Sequence, residues 1–217
     1  MNEEGISIQY LEHDLEDPKS INQEIKNLVA VSRREKNNMK ERTFLNRVTN
    51  SETDFLQEFL DTLHNLDVDY CVIGGLAVNA YTEPVVTLDL DVIVTVNKLD
   101  DLVKVLKEHY KVEKHEHSIN ISTPKSDLRI QIQTDLRYQE FIKRAKPRSI
   151  LGYNNVMVAS IEDTLQGKIW AYLDSTRRQS KRIKDLSDIA RLIEAKPKLR
   201  SLLPPTIEER LRETQKE

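Results

Sequence analysis

The stretch Tyr70–Val96 constrains the fold of this chain more than any other, and it reads YCVIGGLAVNAYTEPVVTLDLDVIVTV. It contains two short apolar runs rich in β-branched residues, Tyr70–Ile73 and Val92–Val96, which are typical of buried strands. Between these runs, the pair Gly74-Gly75 precedes an apolar segment long enough for one or two helical turns. The stretch therefore predicts a strand, a glycine turn, a short helix and a second buried strand.

Two acidic residues, Asp89 and Asp91, stand at the start of the second run with Leu90 between them. Because side chains alternate along a strand, both carboxylates must point to one face of the sheet and Leu90 to the other. Two like charges side by side repel each other and call for a compensating cation. The pair therefore predicts a site for a divalent metal with oxygen ligands, Mg²⁺ or Mn²⁺. The alternative is a solvated surface pair, which the strongly apolar strand beside it disfavours.

Composition excludes several classes of protein. The 217 residues allow one large domain or one domain with appendages, and the net charge of −3 argues against a protein that coats nucleic acid non-specifically. The single cysteine, Cys71, lies inside the first apolar run, so we interpret it as a core thiol rather than a nucleophile. With no disulfide pair, membrane-length apolar run or signal-peptide pattern, the sequence predicts a cytoplasmic protein without membrane contact.

The chain divides into three predicted parts: an N-terminal arm at 1–50, a core at 51–158 and a helical part at 159–217 that completes the site. We expect the arm to be partly helical or mobile. Its alternating Ile6, Ile8 and Tyr10 indicate a short strand. Its basic run Arg33–Arg42 indicates an exposed helix face or a linker, and a nucleic-acid contact is the sharper alternative.

Further elements are predicted within the core. Ser51 to Asp54 is a helix start signal, in which a hydroxyl caps the helix and an acid follows three residues later. Asn97 is predicted to cap another helix, and Leu128–Thr134 alternates between apolar and polar residues as a half-buried strand does. The remaining expected elements are a hairpin of Val112–His117 with Ile119–Ser122, a helix over Tyr138–Ala145, and extended pieces over Arg148–Val158.

The C-terminal part is predicted to contain two helices with an ionisable residue near each apolar face. The first begins at the start signal Ser160–Asp163 and carries Lys168 beside its apolar face, where the lysine must reach solvent or a buried anion. The second runs over Lys181–Ala195, with Ile183 on its apolar face and Asp185 on the flank of that face. Asp185 is either an ordinary salt-bridge partner of Lys181 or Arg182, or a functional carboxylate.

Together these pieces suggest one reactive site. The glycine pair before a short helix allows close backbone approach and offers N–H groups to an anion, although such a pair is also common in tight turns. A metal on Asp89 and Asp91 beside that anion cradle is the arrangement used for phosphoryl or nucleotidyl transfer. Lys168 would then bind phosphate, and Asp185 would lie near the metal or the nucleophile.

Four motifs occur in an order that resembles the nucleotidyltransferase superfamily, which includes polymerase-β-like and minimal nucleotidyltransferases. They are most similar to AbiE-type toxin nucleotidyltransferases and related bacterial domains. The motifs are GGLA at Gly74–Ala77, TLDLD at Thr87–Asp91, KIWA at Lys168–Ala171 and KDLSDI at Lys184–Ile189. The resemblance covers roughly residues 52 to 195.

The resemblance implies an α+β fold, in which a mixed sheet is packed with helices. It implies Mg²⁺ on Asp89 and Asp91, and a nucleoside triphosphate over Gly74, Gly75 and Thr87. It further implies a phosphate contact from Lys168 and a catalytic acid at Asp185. The expected reaction moves a nucleotide to a hydroxyl acceptor on RNA, protein or a small molecule, and the expected partner is a cognate antitoxin.

Two positions depart from the pattern of many relatives. Val85 stands where they have an arginine, and Gln131, between Ile130 and Ile132, stands where many superfamily enzymes have a third acid. A neutral amide is a poor Mg²⁺ ligand. Asp185, Asp127 or Asp135 could substitute, so two hypotheses stay open: an active enzyme, and a non-catalytic descendant that binds a nucleotide or a protein.

Overall fold

The computed structural model describes residues 18–214, and within them every side chain except those of residues 18–29, 32, 33 and 214. The strands are β1 (Tyr70–Ile73), β2 (Asp89–Val94), β3 (Lys111–Lys114), β4 (Ser118–Thr123), β5 (Ser126–Gln133), β6 (Lys146–Ile150) and β7 (Tyr153–Val158). The helices are α1 (Pro18–Val48), α2 (Phe55–Asn65), α3 (Gly74–Asn79), α4 (Leu99–His109), α5 (Gln139–Arg144), α6 (Ile161–Leu173), α7 (Gln179–Ala195) and α8 (Pro205–Thr214). Short 3-10 turns cover Val96–Lys98, Leu136–Tyr138 and Pro197–Leu202.

All seven strands form one mixed sheet in the order β3-β4-β5-β2-β1-β7-β6. β1 and β2 are antiparallel neighbours, and the chain between them contains α3. Ile73 of β1 lies opposite Asp91 of β2. β2 is parallel to β5, and β1 is parallel to β7. The predicted strand, glycine turn, short helix and second strand are confirmed, and so is the α+β fold with its mixed sheet.

The alternation of side chains along β2 separates two faces of the sheet. Leu90, Val92 and Val94 point to one face, where they pack with buried side chains of α2 and α4. The predicted inward residues of β5 point to the same face, namely Leu128, Ile130 and Ile132. The polar residues that alternate with them therefore lie on the opposite face, beside Asp89 and Asp91.

The opposite face is covered partly by α5 and α6. Cys71 and Ile93 pack there with Phe141 and Tyr138, and Trp170 of α6 stacks on Phe141 at 5.6 Å between ring centroids. Burial raises the pKa of the Cys71 thiol to about 12. Cys71 is therefore an inert core thiol, as the sequence predicts.

The C-terminal helices form a further core behind α3. Ser160 caps α6, since its Oγ accepts a hydrogen bond of 3.1 Å from the backbone N–H of Asp163. Ile189 and Leu192 of α7 pack against Leu165 and Ile169 of α6. The predicted place of Ile183 on the apolar face of α7 is wrong, because this side chain is 60% exposed.

Two predicted helix caps are wrong as well. The N-cap of α2 is Asp54, whose carboxylate accepts a hydrogen bond from the backbone N–H of Gln57, while the Ser51 hydroxyl bonds to Thr49 and Ser126 instead. α4 is preceded by a 3-10 turn that contains Asn97, so this residue does not cap it. The predicted hairpin is confirmed as β3 and β4.

Helix α1 packs against the turn between β6 and β7. Arg42 Nε donates a hydrogen bond of 2.8 Å to the carbonyl of Gly152, and the Arg42 guanidinium lies 4.5 Å from the centroid of the Tyr153 ring. The basic run is therefore helical, and this part of it has a structural role.

The strand predicted at Ile6, Ile8 and Tyr10 lies outside the described residues. Over residues 18–214, no helix is both long and apolar enough to cross a membrane.

Replacing Gly152 with alanine should destabilise the protein and loosen α1. Gly152 has a φ of +80°, and a Cβ at this position would overlap the carbonyl of Asn38 on α1. We expect Gly152→Ala to lower the free energy of unfolding by about 1–2 kcal/mol from the backbone alone, with the overlap adding to this. Urea denaturation measures the loss.

The matched control is Gly75→Ala, because Gly75 has no positive φ and a Cβ there meets Thr87 at an ordinary contact distance. Equal midpoints for Gly152→Ala and wild type would contradict the packing of α1 on this turn.

Candidate active site

The two aspartates of β2 lie side by side on the same face of the sheet, as their spacing predicts. Leu90 between them is 1% exposed and points to the other face. Asp89 is 29% exposed, and its Oδ1 pairs with Arg129 Nη2 at 2.8 Å. Asp91 is half-buried and makes no hydrogen bond or ion pair through its side chain with any residue that the structure describes. It is therefore the free carboxylate of the site.

The environment of Asp91 disfavours its ionised form. Burial raises the pKa of Asp91, and the charge of Asp89 raises it further, while the charges of Lys168 and Arg177 act in the opposite direction. A half-buried carboxylate without a hydrogen-bonding partner is stabilised by a cation placed beside it. This donor set fits a divalent metal bound between Asp89 and Asp91.

Gly74 is required by the position of Asp91. It has a φ of +67°, and a Cβ on this residue would overlap the Asp91 carboxylate. Gly75 is under no such constraint, since a Cβ there would lie 3.7 Å from Thr87 Oγ1. Thr87 Oγ1 in turn accepts a hydrogen bond of 3.3 Å from the backbone N–H of Asp89. The glycine turn and Thr87 thus border the aspartate pair and help to hold it in place.

Lys168 of α6 is buried and fully paired. Its Nζ lies 2.9 Å from Asp185 Oδ1 and 2.7 Å from Asp188 Oδ2, both on α7. Burial by itself would lower the pKa of Lys168, but the two carboxylates outweigh burial and raise it above its ordinary value. The sequence predicts that Lys168 reaches either solvent or a buried anion. In the structure it pairs with buried anions.

Asp185 is 1% exposed and has a partner on each oxygen. Oδ1 faces Lys168, and Oδ2 accepts a hydrogen bond of 2.8 Å from Arg177 Nε. The alternative pairing of Asp185 with Lys181 or Arg182 is wrong. Lys181 lies near Asp89, and Arg182 donates to the carbonyl of Tyr172 on α6.

Sequence reasoning missed the continuation of this cluster through Arg191. Arg191 Nη1 lies 2.8 Å from Asp188 Oδ1, and Nη2 donates to Thr82 Oγ1 at 2.8 Å and to the carbonyl of Glu83 at 2.6 Å. The segment that leads to Thr87 is thereby fastened to α7. The only sequence signal for this role is the three-residue spacing of Asp188 and Arg191 on one helix face.

The site contains two adjoining cavities beside a larger cleft. One cavity of about 110 Å³ and one of about 140 Å³ share Asp91, Gln131, Lys168, Arg177 and Asp185 in their walls. The second is also lined by Gly75, Thr87, Asp89, Lys181 and Lys184. Ligand pockets typically enclose about 300–1,000 Å³, so the two cavities suit ions and phosphate groups rather than a whole nucleotide. The neighbouring cleft, lined by Trp170 and Arg177 among others, has about 990 Å³.

Of the three acids that could replace a third carboxylate, Asp185 lines the same cavity as Asp89 and Asp91, whereas Asp127 and Asp135 line neither cavity. Gln131 of β5 lies directly beside Asp91 in the sheet register. Asp127 accepts a hydrogen bond from Asn50, and Asp135 pairs with Arg137. Within residues 18–214, no group of three or more acidic, histidine or cysteine side chains is placed to hold a metal. A metal here would rest on two carboxylates and on substrate oxygens.

Val85, the other departure, lies away from these cavities. Its side chain is 53% exposed and borders an apolar groove together with Phe44 of α1. Its backbone is held by the side chain of Asn79, at the end of α3.

The site combines paired aspartates on a mixed sheet, a glycine turn beside them and a buried lysine from a C-terminal helix. This combination is typical of nucleotidyltransferases. Residues 59–217 match the family described as "Nucleotidyl transferase AbiEii toxin, Type IV TA system", and the chain belongs to this family. The predicted resemblance is confirmed. A comparison with curated protein sequences finds no match.

Solved structures with a similar fold include nucleotidyltransferases. The solution structure of the antibiotic-resistance factor ANT(2'')-Ia is 14% identical, with a TM-score of 0.48, and the match covers 74% of this chain and 90% of that one. The lincosamide antibiotic adenylyltransferase LnuA is 13% identical, with a TM-score of 0.47 and coverage of 65% and 98%. A putative nucleotidyltransferase from Thermotoga maritima is 15% identical, with a TM-score of 0.42 and coverage of 64% and 90%.

Removing the charge of Lys168 should destabilise the fold strongly. Lys168→Met removes the buried cation that Asp185 and Asp188 share, and leaves each carboxylate with one arginine at the edge of the cluster. We expect the free energy of unfolding to fall by about 3–5 kcal/mol, as it does when one partner of a buried ion pair is removed. Chemical denaturation tests this, with the exposed Lys198→Met as the control. A loss no larger than that of Lys198→Met would contradict the buried cluster.

Replacing Asp91 should stabilise the metal-free protein at neutral pH. Because the folded-state pKa of Asp91 is raised, the folded protein binds this proton more tightly than the unfolded chain. The free energy of unfolding therefore falls as pH rises through the folded pKa, and Asp91→Asn removes this loss. We expect Asp91→Asn to melt above wild type at pH 7 and the difference to vanish below about pH 4, the ordinary range of an aspartate.

Asp89→Asn is the control for this measurement, because Asp89 already pairs with Arg129 and its replacement brings no such gain. A melting temperature of Asp91→Asn below that of wild type at pH 7 would show that Asp91 is satisfied without a metal.

Proposed function

We propose that this protein is a divalent-metal-dependent nucleotidyltransferase that moves a nucleotide from a nucleoside triphosphate to a hydroxyl acceptor. The observation that supports this most strongly is Asp91, a half-buried carboxylate that pairs with no described residue and lies beside Asp89 at a cavity lined with cations. Membership in a nucleotidyltransferase family supports the same reaction.

We assign metal binding to Asp89 and Asp91. A bound Mg²⁺ or Mn²⁺ would polarise the reacting phosphate and offset the charge that develops on it. Gly74, Gly75 and Thr87 form the wall along which the triphosphate approaches the pair. Gly75 leaves that wall without a side chain, so phosphate oxygens can come close to its backbone, while the space beside Gly74 is filled by the Asp91 carboxylate.

Lys168 and Asp185 face Asp91 across the cavity, and we assign them to the phosphate and to the acceptor hydroxyl. Lys168 supplies a positive charge that Asp185 and Asp188 hold in place, so its ammonium is oriented before substrate binds. Asp185 is a buried carboxylate on the helical side of the cavity, and its Oδ2 pairs with Arg177. Because Arg177 is 40% exposed, a substrate can reach this pair from solvent and replace Arg177 at Oδ2. In this assignment Asp185 accepts the proton of the acceptor hydroxyl as the hydroxyl oxygen bonds to the α-phosphorus and the bond to the β-phosphate breaks, which releases pyrophosphate.

The acceptor and the cellular role are part of the proposal. The family description names a toxin of a type IV toxin–antitoxin system, which supports a growth-arresting activity and a cognate antitoxin as partner. RNA, protein and small molecules are the acceptor classes to separate.

Transfer of label from a triphosphate tests the proposal. Purified protein is incubated with Mg²⁺, α-phosphate-labelled nucleoside triphosphates and, separately, cellular RNA, protein and small-molecule fractions. We expect label in one acceptor class with wild type, and a loss of at least about 100-fold in Asp89→Asn and Asp91→Asn, as for removal of a preorganised charge at a reacting phosphate. Equal labelling by wild type and both variants would contradict the proposal.

A second candidate, a nucleotide- or protein-binding module without transfer activity, is favoured by Gln131. Its amide lies beside Asp91, where many superfamily enzymes have a carboxylate. Binding of a triphosphate by wild type without any transfer, in every acceptor fraction, would support this candidate.

The substitution Gln131→Glu distinguishes the two candidates. If the pair Asp89–Asp91 is active but short of a third carboxylate, Gln131→Glu should raise the transfer rate at saturating Mg²⁺ and lower the Mg²⁺ concentration needed for half-maximal rate. The matched control is Gln133→Glu, two residues along the same strand face and also in the wall of the cavity. A lower rate for Gln131→Glu would indicate that the neutral amide belongs to the active site as it stands.

A further inference from the structure

Three basic side chains face the aspartate pair from the start of α7 and from the turn before it, and we call them the basic ladder. Arg177, Lys181 and Lys184 are spaced by four and three residues, which places them in a row along one side of a helix and the turn before it. All three line the cavity that also contains Asp89 and Asp91. Lys184 begins the KDLSDI motif, and the sequence predicted a ligand for none of the three.

Two members of this basic ladder occupy carboxylates of the site. Lys181 Nζ lies 3.7 Å from Asp89 Oδ2, and Arg177 Nε lies 2.8 Å from Asp185 Oδ2. Lys184 is exposed, and its charge acts on Asp91 across the cavity. Asp89 is therefore held by two cations, closely by Arg129 on Oδ1 and more loosely by Lys181 on Oδ2.

The charges around the cavity do not balance once a metal is bound. Four cations, from the ladder and Lys168, face three carboxylates, from Asp89, Asp91 and Asp185. A divalent ion adds two positive charges and binds the Asp89 oxygen that faces Lys181. Lys181 then loses this partner and is repelled by the metal. The surplus of positive charge calls for a polyanion, and a triphosphate tail has the charge and length to meet several cations in a row.

We infer that Arg177, Lys181 and Lys184 bind the polyphosphate tail of the substrate and couple its binding to that of the metal. Without triphosphate, Lys181 competes with the metal for Asp89, so the metal binds weakly. With triphosphate, the ladder turns to the phosphates and Asp89 Oδ2 becomes available to the metal, while Asp89 Oδ1 keeps its pair with Arg129. This inference rests on the proposed function, and it makes each ligand raise the affinity of the other.

Binding of Mn²⁺, followed by electron paramagnetic resonance, tests the coupling without any turnover. Wild type and Lys181→Gln are titrated with Mn²⁺ alone and with Mn²⁺ plus a non-hydrolysable ATP analogue. We expect Lys181→Gln to bind Mn²⁺ alone about fivefold more tightly and the analogue about fivefold more weakly, the size expected for one half-exposed ion pair. Opposite signs for the two ligands are the signature of competition, which a merely structural lysine would not produce.

Two further variants and two further ligands sharpen the test. Lys184→Gln should weaken binding of the analogue, whereas Arg178→Gln, an exposed neighbour that lines neither cavity, should leave both affinities unchanged. Inorganic tripolyphosphate should promote Mn²⁺ binding as the analogue does, and adenosine monophosphate should not.

Weaker or unchanged Mn²⁺ binding by Lys181→Gln, with the analogue still bound by wild type, would overturn the inference and leave the proposed function intact. If wild type binds neither Mn²⁺ nor the analogue, the proposed function fails together with the inference. Thermal melting of each variant shows that its fold is retained.

Discussion

The buried ionic cluster around Lys168 is the interaction on which the site depends. Lys168 on α6 pairs with Asp185 and Asp188 on α7, so the two helices are joined by ion pairs as well as by their apolar residues. Arg191 then carries the cluster from Asp188 to the segment that leads into β2. Because a buried charge without its partner is costly, none of these groups can move alone. One cluster therefore sets the position of the helical wall of the site and of the segment that leads into β2.

The sheet supplies the opposite wall through a single steric constraint. Asp91 lies so close to the backbone of the glycine turn that a side chain at Gly74 would displace it. Its carboxylate is half-buried and has no partner among the described side chains, which costs stability in the absence of a ligand. A functional site often retains such a cost because the bound ligand removes it. The charges of Arg177 and Lys184 in the basic ladder act on Asp91 and offset part of this cost.

Local patterns predicted the β2 half of the site, and tertiary packing decided the rest. Alternation along one strand was enough to place Asp89 and Asp91 together, because this geometry depends on neighbouring residues only. The partners of Lys168 and Asp185 come from two different helices, so no spacing reveals them. The inward place predicted for Ile183 failed for the same reason: the buried stripe of α7 includes Asp185 and Asp188, which hydrophobicity does not mark as inward.

Anomalous diffraction from crystals soaked with Mn²⁺ and a non-hydrolysable triphosphate locates the metal and the triphosphate in the site. We expect one strong anomalous peak between the carboxylates of Asp89 and Asp91, with the triphosphate extending from Gly74 and Gly75 toward the start of α7. The peak should disappear in Asp91→Asn. A peak at other residues, or triphosphate density away from the aspartate pair, would contradict the account.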